Sequence, residues 1–182
     1  MPNDNYYKFS ITSERKPVAV PDYYYTEHQT AILRGELFHC FGEIIIGSGA
    51  TKICQLKTGD IDTYAFGLRL ESNIAALTYK LTEAPTITDG VTALTGVNFN
   101  RESSKLPLYL LYVDPTNVSG GTIIKEYRHY SLPNAPVLTT MAGNGTFFKL
   151  KRNTSYALSF TNGDNAERKV FSQFIIMEGS GL

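Results

Sequence analysis

Few residues of this chain have side chains that could do chemistry. It has three histidines (His28, His39 and His129) and two cysteines (Cys40 and Cys54). A serine or cysteine nucleophile needs a histidine base within hydrogen-bond reach, itself oriented by a carboxylate. His39 and Cys40 are adjacent, and adjacent strand residues point to opposite faces, so they do not pair on a regular strand. His129 lies in Tyr127-Arg128-His129-Tyr130 and reads as an exposed or packed strand histidine. Zinc takes four nitrogen or sulfur ligands, usually in close pairs, and neither cysteine has such a neighbour. A site from His28, His39, Cys54 and a carboxylate has no spacing to support it. Asp60-Ile61-Asp62 sets two carboxylates on one face of a turn but lacks the further oxygens that calcium requires. Gly42 to Gly47 has phosphate-loop spacing, yet Ser48 stands where the lysine belongs and a strand follows. The expectation is a protein that is not an enzyme, with no catalytic, metal or cofactor residues.

Composition narrows the partners. Lys+Arg and Asp+Glu are both 17, a formal net charge of +0, whereas a protein that grips phosphate backbones carries a basic face. Even the apolar-rich stretches, such as Phe41 to Ile46, fall far below the ~20 residues of a spanning helix. Neither nucleic acid nor membrane is expected. Met1-Pro2-Asn3-Asp4-Asn5 has no basic start and no hydrophobic region of a secretory signal. The chain therefore reads as made in a cytoplasm, leaving it only inside a larger particle. In that compartment Cys40 and Cys54 are expected as reduced thiols packed as small hydrophobes, with an incidental disulfide between neighbouring strands still open. Sugar-binding sandwiches favour flat aromatic platforms, tryptophan above all; Trp 0 weakens that reading, while Tyr 12 keeps a glycan module as the alternative.

The elements that would position these residues fall into three regions. Residues 1–31 carry Tyr6, Tyr7, Phe9 and Tyr23-Tyr24-Tyr25 among Pro2, Pro17 and Pro21. Proline forbids regular pairing, so this reads as an extended arm, and its aromatics need a surface to cover them. That surface is either the arm's own domain or a neighbouring subunit, the neighbour favoured because tyrosine supplies contact area at low entropy cost. Residues 32–178 read as strand after strand: Leu37 to Ile46, Lys52 to Lys57, Tyr64 to Leu70, Leu77 to Glu83, Leu108 to Val113, Thr122 to Tyr130, Thr146 to Leu150, Tyr156 to Thr161 and Val170 to Met177. Gly47-Ser48-Gly49, Gly59-Asp60, Asp89-Gly90, Ser119-Gly120-Gly121 and Asn162-Gly163-Asp164 mark turns between them. About eight or nine short strands so spaced, with no sustained helical period, predict an all-β antiparallel sandwich or barrel. Residues 179–182 read as a flexible end.

Two stretches carry a family likeness: Tyr79-Lys80-Leu81-Thr82-Glu83-Ala84-Pro85-Thr86-Ile87-Thr88-Asp89-Gly90 leading into Thr95-Gly96-Val97-Asn98-Phe99-Asn100-Arg101-Glu102-Ser103-Ser104, and Phe148-Lys149-Leu150-Lys151-Arg152-Asn153-Thr154-Ser155-Tyr156-Ala157-Leu158, ending in Thr161-Asn162. Together they resemble tailed-bacteriophage virion proteins of the small jelly-roll head decoration (cement) type. The resemblance covers roughly Gly35 to Glu178, departs at Arg152, where a proline is usual, and leaves the aromatic arm unexplained. It implies an antiparallel β-sandwich of jelly-roll type. It further implies a virion protein that binds the major capsid protein or other virion subunits as a homo-oligomer, a trimer favoured. A receptor- or glycan-recognition module of a head or tail fibre is the alternative. The candidate partner-binding residues are Tyr6, Tyr7, Phe9, Tyr23, Tyr24, Tyr25 and Arg101. Arg101 would offer a planar donor fork from a turn closed by Asn98 and Asn100, and Tyr156 would anchor its strand as a corner tyrosine.

Overall fold

The computed structural model describes residues 27–72, 76–90, 92–94, 96–130, 137–140 and 148–179. A short helix, α1 (Glu27–Leu33), precedes four long strands: β1 (Leu37–Ile46), β2 (Thr51–Lys57), β3 (Thr63–Ser72) and β4 (Ala76–Glu83). Shorter segments follow: β5 (Thr86–Thr88), β6 (Thr92–Leu94), β7 (Val97–Asn98), β8 (Leu110–Val113) and β9 (Thr116–Ser119). The chain returns through β10 (Thr122–Tyr130), β11 (Val137–Thr140), β12 (Phe148–Leu150), β13 (Ser155–Asn162) and β14 (Arg168–Glu178).

The expectation of an all-β antiparallel fold holds. One sheet has the order β11-β3-β14-β1-β7, with β12 also on β3, and the other runs β10-β4-β13-β2-β8-β6; β5 and β9 form a separate ribbon. Outgoing strands lie beside returning ones: β1 pairs with β14, β2 with β13, β3 with β12 and β4 with β10, all antiparallel. One core forms from both sheets. Phe38, Cys40, Ile46, Val170, Phe174 and Ile176 come from the first, and Leu56, Leu77, Tyr79, Leu81, Leu158 and Phe160 from the second. This is a β-sandwich-like arrangement. Fully burying one such large side chain contributes ~1.5–3 kcal/mol, so the stacked sheets rather than the helix hold the molecule together.

In β4 the alternation predicts burial directly, with Leu77, Tyr79 and Leu81 buried between half-buried neighbours. β2 departs from it, because Cys54, Gln55 and Leu56 are buried in succession. Gln55 is tolerated there because its Nε2 donates to Asp89 Oδ1 at 2.8 Å and to Ser155 Oγ at 3.3 Å. The predicted Ser119-Gly120-Gly121 turn places both glycines in the left-handed region, φ 64° and 82°, where only glycine sits without strain.

Three expectations need correction. The extended arm was expected to run to residue 31, but Glu27–Leu33 is helical. The last arm proline is Pro21, so nothing forbids a helix beyond it, and Ala31 and Ile32 bury against Leu37, Tyr64, Ile175 and Met177. At seven residues the helix is too short to show a periodicity in sequence. The described residues also hold fourteen strand segments rather than eight or nine. The surplus comes from β5, β6, β7, β9 and β11, each of two to four residues and too short for alternation to register. At the other end Gly179 donates its N–H to the Asp62 carbonyl at 3.1 Å, so the region expected to be a flexible end starts with a fixed residue.

Candidate functional site: the Asn98 turn and its apolar rim

β7 ends the first sheet, pairing with β1 through Phe38↔Asn98 and His39↔Val97. The chain then turns through Phe99–Glu102 under the control of its asparagines. Asn98 Oδ1 accepts the Asn100 N–H at 2.9 Å, and Asn100 Oδ1 accepts the Glu102 N–H at 3.1 Å. Each asparagine thus bonds the backbone two residues on, the behaviour that makes it a turn former. Asn98 is buried, and its Nδ2 donates to the carbonyls of Gly35 (2.9 Å) and Lys105 (3.2 Å). Asn100 Nδ2 reaches the Leu33 carbonyl at 3.2 Å. One side chain therefore ties the α1–β1 turn, the β7 strand and the following loop together. Gly35 has φ +66° and is pressed against Ser103, leaving no room for a Cβ. Arg101 stands exposed at the tip of this braced turn.

Several apolar side chains of α1, β7 and the segment that runs on to β8 are exposed. Leu106 is 77% exposed, Leu33 65% and Leu108 57%, with Leu110, Val97 and Phe99 also out of the core. The backbone at Leu108 is held from inside. Glu178, itself buried, accepts the Leu108 N–H on Oε2 at 2.7 Å. Burial pushes its carboxyl above the ordinary glutamate range, opposed by the N–H groups of Leu108 and Tyr109. The Tyr109 ring packs edge-on against Phe38, centroids 6.1 Å apart, and burial raises its hydroxyl pKa well above the ordinary range. Apolar groups held outward by a rigid frame suit recognition of another surface.

The other candidate residues are distributed as follows. Tyr6, Tyr7, Phe9, Tyr23, Tyr24 and Tyr25 lie outside the described residues. His28 stands in α1 and His129 in β10. His39 stacks on Phe99 at 5.5 Å, and partial burial lowers its pKa. Cys40 and Cys54 are both buried, on strands of opposite sheets, and are not joined in a disulfide. Burial first, then the nearby Asp114 charge, pushes the Cys54 thiol up to about 12. Among the described residues no group of three or more His, Cys, Asp or Glu could hold a metal ion. Among them, too, no helix is long and apolar enough to cross a membrane.

Asp62 bonds Lys149 at 2.8 Å and Arg152 at 3.0 Å, and these two cations hold its carboxyl below the usual range. Arg152, the departure from the family pattern, is thus a partner of the Asp60–Asp62 turn. Tyr156 is fully buried, accepts the Lys151 N–H at 2.7 Å and donates to Glu83 Oε2 at 3.2 Å, the geometry of a corner tyrosine. Sequence reading missed Glu178 and Asn162. The Asn162 Nδ2 donates to the carbonyls of Ile46, Gly47 and Ala166, and its Oδ1 accepts the Asp164 N–H. Its place in the Asn162-Gly163-Asp164 turn signal was the one clue.

No protein-family model matches this chain, and no curated protein is significantly similar to it.

Proposed function

We propose that the chain is a virion structural protein of a tailed bacteriophage, a head decoration (cement) protein that binds the assembled capsid and stabilises it by association alone. The observation that carries this reading is the braced Asn98–Asn100 turn, which presents Arg101 and Phe99 to solvent, with Leu33, Leu106 and Leu108 exposed on the segments that flank it. A guanidinium fork beside apolar anchors is the composition of a protein-binding patch, with Arg101 directed at carbonyls or carboxylates of the partner. The finer fold reading is a jelly roll. A long antiparallel ribbon with β1 beside β14, β2 beside β13, β3 beside β12 and β4 beside β10, rolled into two sheets, supports it.

The partners in this reading are the major capsid protein or other virion subunits, and further copies of the chain, a trimer matching a three-fold lattice point. The arm residues Tyr6, Tyr7, Phe9, Tyr23, Tyr24 and Tyr25 cross to a neighbouring chain. A standard interface buries ~800 Å² per partner, and clustering copies raises avidity ~10²-fold or more, enough to bridge capsomers against internal pressure. The protein is made in the host cytoplasm and resides in the virion. Mass spectrometry of gradient-purified virions tests the proposal. The chain is expected in stoichiometric amounts with the shell, and its absence from purified particles overturns the reading.

A further inference from the structure

We propose that the open edge of β1, from Cys40 to Ile45, accepts residues Tyr6–Ile11 of a second copy of this chain as an added antiparallel strand. The inference rests on the proposed function in one respect, that the arm is sent to a neighbouring chain.

The acceptor is visible in the ladder. β14 pairs with β1 along its whole length, Leu37↔Met177 through Ile46↔Arg168. On the other side, among the described residues, only Phe38 and His39 are paired, with β7. The Phe99 N–H donates to the Leu37 carbonyl at 3.0 Å, so the backbone groups of odd-numbered β1 residues face that side. The N–H and C=O of Phe41, Glu43 and Ile45 therefore point along an edge that no described strand covers. Proteins blunt such edges with charge or proline, because an unpaired ladder is a template for another strand. β10, the edge of the other sheet, carries Lys125, Glu126 and Arg128. The β1 edge carries Glu43 alone, already 2.9 Å from Lys169.

The two faces of this edge differ. On the inner face a Cβ at Gly42 would meet only Leu94 Cδ1, at 3.8 Å, and Ile44 and Leu94 are partly buried at the margin of the core. On the outer face Glu43 and Ile45 are exposed. A second β1 fits poorly, since pairing two such edges brings their Glu43 side chains together. Tyr6-Tyr7-Lys8-Phe9-Ser10-Ile11 fits well. It lies between Pro2 and Pro17, contains no proline, and from Tyr7 alternates apolar with polar.

Setting Lys8 beside Glu43 gives the register. Phe9 then lies beside Gly42, an aromatic opposite a strand glycine, with Tyr7 beside Ile44, Tyr6 beside Ile45 and Ile11 beside Cys40. The added strand stops where β7 begins, at His39. Between Ile11 and α1 the sequence has Pro17 and Pro21, residues that do not continue a paired strand. Insertion of an arm into a neighbour's edge is a head-to-tail contact, which closes into a ring where the rotation between copies permits.

The test uses full-length chains. Lys8→Cys chain is mixed with Glu43→Cys chain under mild oxidation, and heterodimer is measured on non-reducing gels with mass-spectrometric mapping. Heterodimer yield is expected about ten-fold above a control mixture of Lys8→Cys with Thr116→Cys chains. Adding Ile45→Pro to the acceptor, which removes an edge N–H but no β14 bond, is expected to return the yield to control. A yield equal to control overturns the proposal. So does a Lys8→Cys/Glu43→Cys double variant that closes within one chain. Shell binding is measured separately: cross-linking without shell binding leaves the edge contact standing and sinks the proposed function, and the converse sinks the edge contact alone.

Discussion

Replacing Asn98 with alanine removes the side chain on which the candidate surface turns. Three bonds are lost: to the Gly35 carbonyl at 2.9 Å, to the Lys105 carbonyl at 3.2 Å and from the Asn100 N–H at 2.9 Å. A net hydrogen bond contributes ~0.5–1.5 kcal/mol, and leaving a buried carbonyl unsatisfied costs ~1–3 kcal/mol. The Gly35 bond is buried, while the other two are only partly so and regain water on loss. The expected destabilisation is therefore about 2–3 kcal/mol, short of the full sum. For a domain of this size each kcal/mol lowers Tm by ~2–4 °C, which gives a fall of about 5–10 °C. Urea denaturation and a thermal scan measure it. Hydrogen exchange locates it: the Asn100 and Ser103 amides should exchange faster, while the amides of the β1–β14 ladder keep their relative protection. A Tm unchanged within about 2 °C, with unchanged Asn100 exchange, would refute the claim that Asn98 braces the turn.

Other outcomes follow from the same structure. Tyr156→Phe loses the bonds to Lys151 and Glu83 while keeping the ring buried, and should cost about 1–2 kcal/mol in urea denaturation. Glu178 has a raised pKa in the fold, so its contribution is fully present below the ordinary glutamate pKa and lost as pH rises through its folded value. Glu178→Gln should remove that decline, so wild type and variant should diverge in stability between mild acid and neutrality; parallel profiles would contradict the assignment. Cys40 and Cys54 should resist a thiol reagent in the native protein and both react after unfolding, because both are buried and the Cys54 pKa is pushed up to about 12.

How far the sequence discloses this fold depends on the element. Leu77, Tyr79 and Leu81 alternate because one face of β4 meets the core, and such a strand is readable by eye. Gln55 is not, since its burial depends on Asp89 and Ser155, far away in sequence. The asparagine turn was legible at Asn98 and Asn100, whose local bonds need only two residues of context. What Asn98 does for Gly35 was hidden, because that contact spans the α1–β1 junction. The exposed leucines were hidden too: Leu108 and Leu110 read as strand residues until burial shows them outside the core. Glu178 at the end of an apolar strand looks like an ordinary surface carboxylate, and only the fold brings the Leu108 N–H to it.

Quantitative co-sedimentation with purified shells tests most directly the idea that this chain works by covering another protein's surface. The full chain should pellet saturably with shells. A chain lacking residues 1–25, shown to be folded by circular dichroism, should stay in the supernatant. A truncated chain that pellets as well as the full one, or a full chain that never pellets, would contradict the account.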